Sequence, residues 1–407
     1  MLDYLPIMEL MKIAIIGAGP AGIYTALLLE KFKGEVHLFE QNKDIGEKLK
    51  TTGGGRMNVT NRVLTEQQFT SHQQRWVDRL FKNPHFENRY TILEELGIEY
   101  QWEKNRAILK SQDAVAEVAR LKARILGQDN VILRLGAKVG SIIPLEEGFS
   151  IRIGESEEFF DRVVITTGGM YRMKDMGGTD HIYSIPKALG HEVTAVQPSL
   201  CPLIFVDKPL REFKGISFVG VLKDLESKKS VTDDLILTHF GISGPAALDF
   251  SSMAGEKTEL SFVSSVSEEE FVKAFNLARE GKNSIKKFLK TYIPGRLVEY
   301  HLERAEIDQD FMSDIPKKKL QMLVKSLFHY ALPPRQKNVY PGSWTTKGGV
   351  DITQIETKNL QSKLVPGVYF AGEVLDCDGL CGGFNISFSM VSAQIVSDDL
   401  MKMQRIK

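Results

Sequence analysis

Lys12-Ile-Ala-Ile-Ile-Gly17-Ala-Gly19-Pro20-Ala21-Gly22 decides the fold: a β-branched run enters three spaced glycines, and an apolar periodic stretch follows to about Leu29. A strand, tight turn and helix in that order hold the pyrophosphate of a dinucleotide at the positive end of the helix. Gly17 permits the turn, Gly19 lets the backbone approach the phosphates, and Gly22 lets helix and strand pack closely. The next strand, Val36-His-Leu-Phe-Glu40, ends in an acid 18 residues past Gly22. That is near the spacing at which a carboxylate accepts from ribose hydroxyls. No Arg stands beside Glu40, which disfavours a 2′-phosphate and therefore NADP at this site.

The chain of 407 residues is 43% apolar, enough for a large core divided into about two or three domains. Lys plus Arg balance Asp plus Glu at 52 each, so no global field draws in nucleic acid or anionic lipid. No nucleic-acid partner is expected. No run approaches a membrane span of about 18 apolar residues, and Met1-Leu-Asp-Tyr-Leu-Pro lacks the basic and apolar parts of a signal peptide. Cys201, Cys377 and Cys381 are too few for a disulfide framework. The sequence predicts a soluble, cytoplasmic protein with no metal site. Met8 and Met11 both precede the expected first strand, so the first seven to ten residues read as a start-site extension.

After Glu40, Lys50-Thr-Thr-Gly53-Gly54-Gly55-Arg56-Met-Asn58 is too glycine-rich for a helix and reads as a loop. Helical periodicity follows over Trp76–Leu96 and Asp113–Leu126, with strands near Val131–Leu135, Ser150–Ile153 and Phe159–Thr166, the last running into Thr167-Gly168-Gly169. From about His191 short β-like pieces alternate with Pro, Gly and charged turns. Ser267-Glu-Glu-Glu270 is a capping box opening helices that run to about Tyr330, where Ala331-Leu-Pro-Pro334 stops them. Lys286-Lys287 and Lys317–Lys319 read as solvated helix faces. The buried-strand pattern returns at Gly367-Val-Tyr-Phe-Ala-Gly372-Glu373, then a turn through Gly382-Gly383-Phe384-Asn385 and a helix over Ile386–Met401. The predicted architecture is α/β: a discontinuous Rossmann-type domain over 11–190 and 341–407, an inserted β-rich, β-barrel-like domain at 191–266, and a helical cap at 267–340.

Four separated pieces fit one large ligand: the first turn, Glu40, the Gly53–Asn58 loop, and the Gly372-Glu373 strand end with its turn and helix. NAD has no need of the last. FAD does, since Glu373 is placed to accept from ribitol, and amides near Gly383–Ile386 to face the pyrimidine edge of the ring, where a helix N-terminus stabilises negative charge.

Gly53-Gly-Gly-Arg-Met-Asn-Val-Thr-Asn61, Leu237-Thr-His-Phe-Gly-Ile-Ser-Gly-Pro245, Gly348-Gly-Val350, Phe370-Ala-Gly-Glu-Val-Leu-Asp376 and Gly382-Gly-Phe-Asn385 resemble the BaiN-type flavoproteins, the aminoacetone oxidase family of FAD-binding enzymes. The resemblance runs over nearly the whole chain. It implies the discontinuous FAD domain with its two insertions, and carries FAD contacts to Gly17, Gly19, Gly22, Glu40, Gln41, Arg56, Asn58, Val139, Glu373, Asn385 and Ile386. Pro20, Ala21, Lys48, Gly55, Thr167, Gly168, Gly372, Gly383 and Phe384 complete the assigned cofactor set. Family members usually carry Cys where this chain has Met57, and lack the cysteines found here at 377 and 381.

No catalytic residue is secure. His239 is either an acid–base group or a strand-end anchor. Tyr171 either stacks near the ring or simply packs. Arg56 pairs with a phosphate or with an acid of its own domain. Cys377 and Cys381 form a CxxxC that is either a dithiol exchanging electrons with flavin or two small residues in a tight turn, the reading favoured here. No second GxGxxG marks a dedicated NAD(P)H domain. Either NAD(P)H visits as a transient donor, or an organic substrate reduces the flavin. The predicted function is an FAD-dependent oxidoreductase moving hydride through flavin N5 to or from a small or medium organic molecule, by C=C reduction or amine or C–H oxidation. The alternatives are an FAD-folded RNA-modifying protein, with a basic patch on the inserted module, or a flavin binder without efficient turnover.

Overall fold

The computed structural model describes residues 10–171, 180–205, 208–252, 255, 257–334 and 342–403. The start-site extension read over the first residues lies almost wholly outside them. The chain divides into two compact units, residues 1–198 with 344–407, and residues 199–343.

In the first unit β1 (Met11–Ile16), α1 (Pro20–Leu28) and β2 (Gly34–Glu40) follow one another as the opening sequence requires. Next come β3 (Asn58–Asn61), β4 (Tyr100–Glu103), β5 (Arg106–Leu109) and α2 (Ala114–Leu126). They are followed by β6 (Val131–Leu135), β7 (Arg162–Ile165), β8 (Val368–Phe370) and α3 (Phe384–Met403). Among the described residues the main sheet is five-stranded, in the order β8-β7-β1-β2-β6, with every pair parallel. Its strands are near-continuous apolar runs because helices cover it, and Ile13, Ile15, Val163, Val164 and Phe370 are fully buried. A parallel sheet entered from both ends of the chain places the turns after β1, β2, β7 and β8 along one edge, the edge where open α/β sheets bind ligands. A smaller antiparallel sheet, β3-β5-β4, stands beside the glycine loop.

The predicted Phe159–Thr166 strand is two strands. Ser156–Phe160 pairs in an antiparallel hairpin sheet while β7 joins the main sheet, and Asp161 makes the bend. Its N–H donates to Lys12 O and its carboxylate accepts from Lys12 N–H, at 2.8 and 2.7 Å. The Trp76–Leu96 stretch breaks into Gln74–Leu80, Pro84–Glu87 and Arg89–Glu95. Asn83 caps the second piece through the His85 N–H, and Pro84 occupies its first turn.

Among the described residues of the second unit six antiparallel strands form one sheet, ordered Leu203–Ile204, Gly241–Ser243, Ser230–Leu237, Ser217–Asp224, Thr258–Ser261 and Tyr330–Ala331. Helices Glu268–Ala278, Ile285–Leu289, Val298–Arg304 and Lys317–Phe328 share its hydrophobic core through Phe262, Phe271, Phe275 and Leu327. The capping box at Ser267 and Glu270 is formed.

His301 is buried in that core, its Nδ1 2.8 Å from Ser326 Oγ and its Nε2 without a hydrogen-bond partner among the described residues. Burial, with the nearby Arg304 charge, pushes its pKa down to about 3. The folded state therefore keeps it neutral, while the unfolded chain takes up a proton below about pH 6.5. Its contribution is full above that pH and is lost as pH falls toward 3, amounting to about 2 kcal/mol at pH 5. Hydrogen exchange of core amides at pH 7 and 5 is expected to show that much more acid destabilisation in the wild type than in His301→Gln.

Candidate active site

The turn after β1 is fixed by contacts within the chain. Gly17 has φ of 105° and donates to Phe39 O at 2.8 Å; a Cβ there would lie 2.7 Å from Thr166 O. A Cβ on Gly22 would stand 1.9 Å from Gly17 O. Gly19 differs, since its φ of −76° suits any residue and a Cβ would meet no described atom within 4 Å. The space over Gly19 is therefore open. Pro20 begins α1 where a missing N–H costs nothing, and no side chain caps the helix.

Glu40 is buried at the end of β2, its carboxylate accepting from Ala18 N–H and Asn42 N–H, each at 2.8 Å. Gln41 follows at the half-buried edge, and the turn after β6 runs alongside, Ala137 N–H donating to Glu40 O. Val139 is buried at the start of the next strand. Gly53, Gly54 and Gly55 all take left-handed φ, and Cβ atoms on the last two would meet nothing within 4 Å. Met57, where the family usually has Cys, is buried with φ of 52°, a conformation rare for a side chain of that size. Asn58 lies against Gly53. Arg56 is exposed and its Nη1 donates to both Glu103 oxygens at 2.9 and 3.0 Å, so the guanidinium is engaged within its own unit.

The C-terminal segment closes the arrangement. Gly372 has φ of 77°, and a Cβ there would come 2.8 Å from the Ala21 side chain. Glu373 accepts from Lys48 Nζ at 2.5 and 2.8 Å and from Thr346 N–H at 2.8 Å. Thr167 and Gly168 follow β7, with Gly168 open above its Cα. Tyr171 is half-buried and donates its N–H to Thr346 Oγ1. A Cβ on Gly383 would sit 2.6 Å from Thr60 O. Asn385 exchanges two hydrogen bonds with Gly379, at 2.9 and 2.7 Å. Phe384 lies edge-on to Phe69, and Ile386 is buried. The N-terminus of α3 is thereby locked.

Two buried hydroxyls, Tyr183 OH and Thr345 Oγ1, have no hydrogen-bond partner among the described residues. Burial raises the Tyr183 phenol well above its ordinary range, with the Glu373 charge adding to it. Thr345 adjoins Thr346, whose amide holds Glu373. Buried polar atoms are nearly always paired, so the Tyr183 hydroxyl, close enough to feel the Glu373 charge, is a place where a ligand could complete the bonding.

Cys377 and Cys381 are both thiols. Cys377 is buried, and burial with the flanking Asp376 and Asp378 pushes its thiol well above the ordinary range, opposite to a reactive thiolate. Cys377→Ser with Cys381→Ser is expected to leave flavin reduction nearly unchanged in stopped-flow traces; a large loss would indicate dithiol exchange. His239 is exposed in the second unit, at the turn between two strands, with its ring edge-on to Phe240.

Sequence reading missed the Lys48–Glu373 pair, Tyr183, and an imidazole held between two acids: His72 Nδ1 on Asp376, with Nε2 3.4 Å from Asp351. Partners more than 300 residues apart leave no local signal. Among the described residues no group of three or more His, Cys, Asp or Glu is placed to hold a metal, and no helix is long and apolar enough to cross a membrane.

A parallel sheet with this glycine turn, a closing C-terminal segment and these openings defines a Rossmann-type, FAD-dependent oxidoreductase. The chain belongs to the HI0933-like family: the family's Rossmann-domain model matches residues 11–399, in agreement with the motif resemblance. It is 30% identical to a ribosomal RNA dihydrouridine synthase of Haemophilus influenzae, over 93% of this chain and 96% of that one. It is 24% identical to a 3-dehydro-bile acid Δ4,6-reductase of Clostridium scindens, over 94% and 97%. The structure of 3-ketosteroid Δ1-dehydrogenase from Sterolibacterium denitrificans shares the fold, with a TM-score of 0.51 and 11% identity over 96% of this chain and 99% of that one.

Proposed function

We propose that this protein reduces a carbon–carbon double bond conjugated to a carbonyl within a ring. The observation carrying the cofactor part of this reading is the open space over Gly19, Gly54, Gly55 and Gly168, in loops of the same unit as buried Glu40, Glu373 and the Tyr183 hydroxyl. Those residues fit FAD: Glu40 would hold the adenosine ribose, the α1 N-terminus and Gly19 the pyrophosphate, and Lys48, Glu373 and Tyr183 the ribitol. Bound FAD supplies two-electron chemistry at its N5. The chain's part is to orient. The locked N-terminus of α3 would offer its positive end to the pyrimidine edge of a bound flavin, and buried Ile386 and Phe384 would keep water from that end.

Two relatives support the bond class, since a dihydrouridine and a Δ4,6-reductase product both differ from their precursors by hydrogen added across a ring C=C. A second reading takes the substrate ring to be a uracil in RNA, and the 30% identity over nearly the whole chain favours it. NADH or NADPH is the proposed donor, visiting without a binding domain of its own. Anaerobic bleaching of the flavin band by either nucleotide, then its return on adding a steroidal 4,6-dien-3-one or unmodified ribosomal RNA with a product two mass units heavier, is the expected result. A protein indifferent to both nucleotides, whose flavin is bleached by an amine or alcohol, would make it an oxidase instead.

A further inference from the structure

Resting on the second reading, we infer that the β4–β5 hairpin and the adjoining end of β3 are the surface on which a single-stranded RNA segment docks. Arg56, Arg62, Lys104 and Arg106 gather around the hairpin tip, where Glu103 pairs with Arg56, while Glu94 and Glu99 stand at its other end beside Tyr100, in a chain with formal net charge zero. Arg62 N–H donates to Asn105 O at 2.8 Å, which ties the end of β3 to the hairpin tip, where Lys104 takes a left-handed φ of 56°. The Arg62 guanidinium lies 4.7 Å from the centre of the Trp102 ring, with Tyr100 edge-on to that ring at 5.6 Å. Arg62 and Lys104 are exposed, and Trp102 and Tyr100 half-exposed.

A guanidinium on an indole beside further cations suits unpaired RNA, whose bases stack on aromatic and Arg planes while phosphates meet the surrounding charges. The hairpin also touches the candidate site. A Cβ on Gly382 would lie 3.2 Å from Arg106 Nε, so Arg106 covers the turn that leads into α3. A uridine turned out of an RNA held on the hairpin is thus delivered toward the proposed flavin edge. Lys214, Lys223, Lys228 and Lys229, the cations of the inserted module, belong to the other unit.

Fluorescence anisotropy of the flavin-loaded protein with a labelled, uridine-containing single-stranded RNA tests the surface. The wild type is expected to bind with salt-dependent affinity, and Arg62→Glu with Lys104→Glu to weaken binding at least about tenfold and flatten the salt slope by about two. Trp102→Ala is expected to weaken it roughly tenfold with little change in slope. Lys228→Glu with Lys229→Glu is expected to bind like wild type. Flavin occupancy reports that each variant is folded. Wild-type binding that survives the hairpin substitutions would overturn the surface and leave the RNA reading standing. No wild-type binding at low salt would overturn both and leave a small-molecule substrate.

Discussion

Gly19→Val is expected to give a folded protein that has lost its flavin. The native φ of −76° accepts a side chain, and a Cβ there meets no described atom within 4 Å, so the fold loses only about 1 kcal/mol at the helix start. The same side chain fills the space through which the pyrophosphate reaches the backbone, and FAD affinity is expected to fall about a hundredfold or more, on the order of 3 kcal/mol. The ratio of absorbance at 450 and 280 nm, with urea unfolding of the same preparation, reads both effects. Full occupancy in this variant would mean that the opening serves something other than the cofactor.

Glu40→Arg is expected to remove flavin and to destabilise the fold together. From sequence the acid has one task, the ribose, and its replacement should spare the fold. The structure adds a second task, because the buried carboxylate also holds Ala18 N–H and Asn42 N–H at the turn. Arg buries a cation and orphans both amides, a cost of about 3–5 kcal/mol. Glu40→Gln keeps the shape and one acceptor, and is expected to cost about 1–2 kcal/mol and to loosen FAD roughly tenfold. Should Glu40→Arg retain full flavin, the ribose lies elsewhere.

The parallel sheet was legible because its strands are buried on both faces and so appear as uninterrupted β-branched runs. The closing helix, read as Ile386–Met401, spans Phe384–Met403. Glycine spacing located the turn and also separated two kinds of glycine there. Gly17 and Gly22 are required by neighbours inside the chain, whereas Gly19 is required by none. The β3-β5-β4 sheet left little trace, since its strands are four residues each and β3 pairs with β5 from 45 to 50 residues away. The basic, aromatic hairpin went unseen for the same reason: Arg62 and Trp102 meet only once that sheet forms. Around Glu373 sequence reading named both the acid and Lys48 but not their pairing, because the two lie 325 residues apart. Contacts of that range are set by the closed fold, not by local pattern.

Titration of the flavin-free protein with FAD and with FMN tests most directly whether separated segments hold one dinucleotide. If Glu40, Gly19 and the α1 N-terminus bind the adenosine diphosphate half while Glu373 and the start of α3 bind the rest, FAD will bind at least about a hundredfold more tightly than FMN. Equal affinity for the two would show that the first turn and Glu40 contribute nothing to cofactor binding, and would contradict the proposed site.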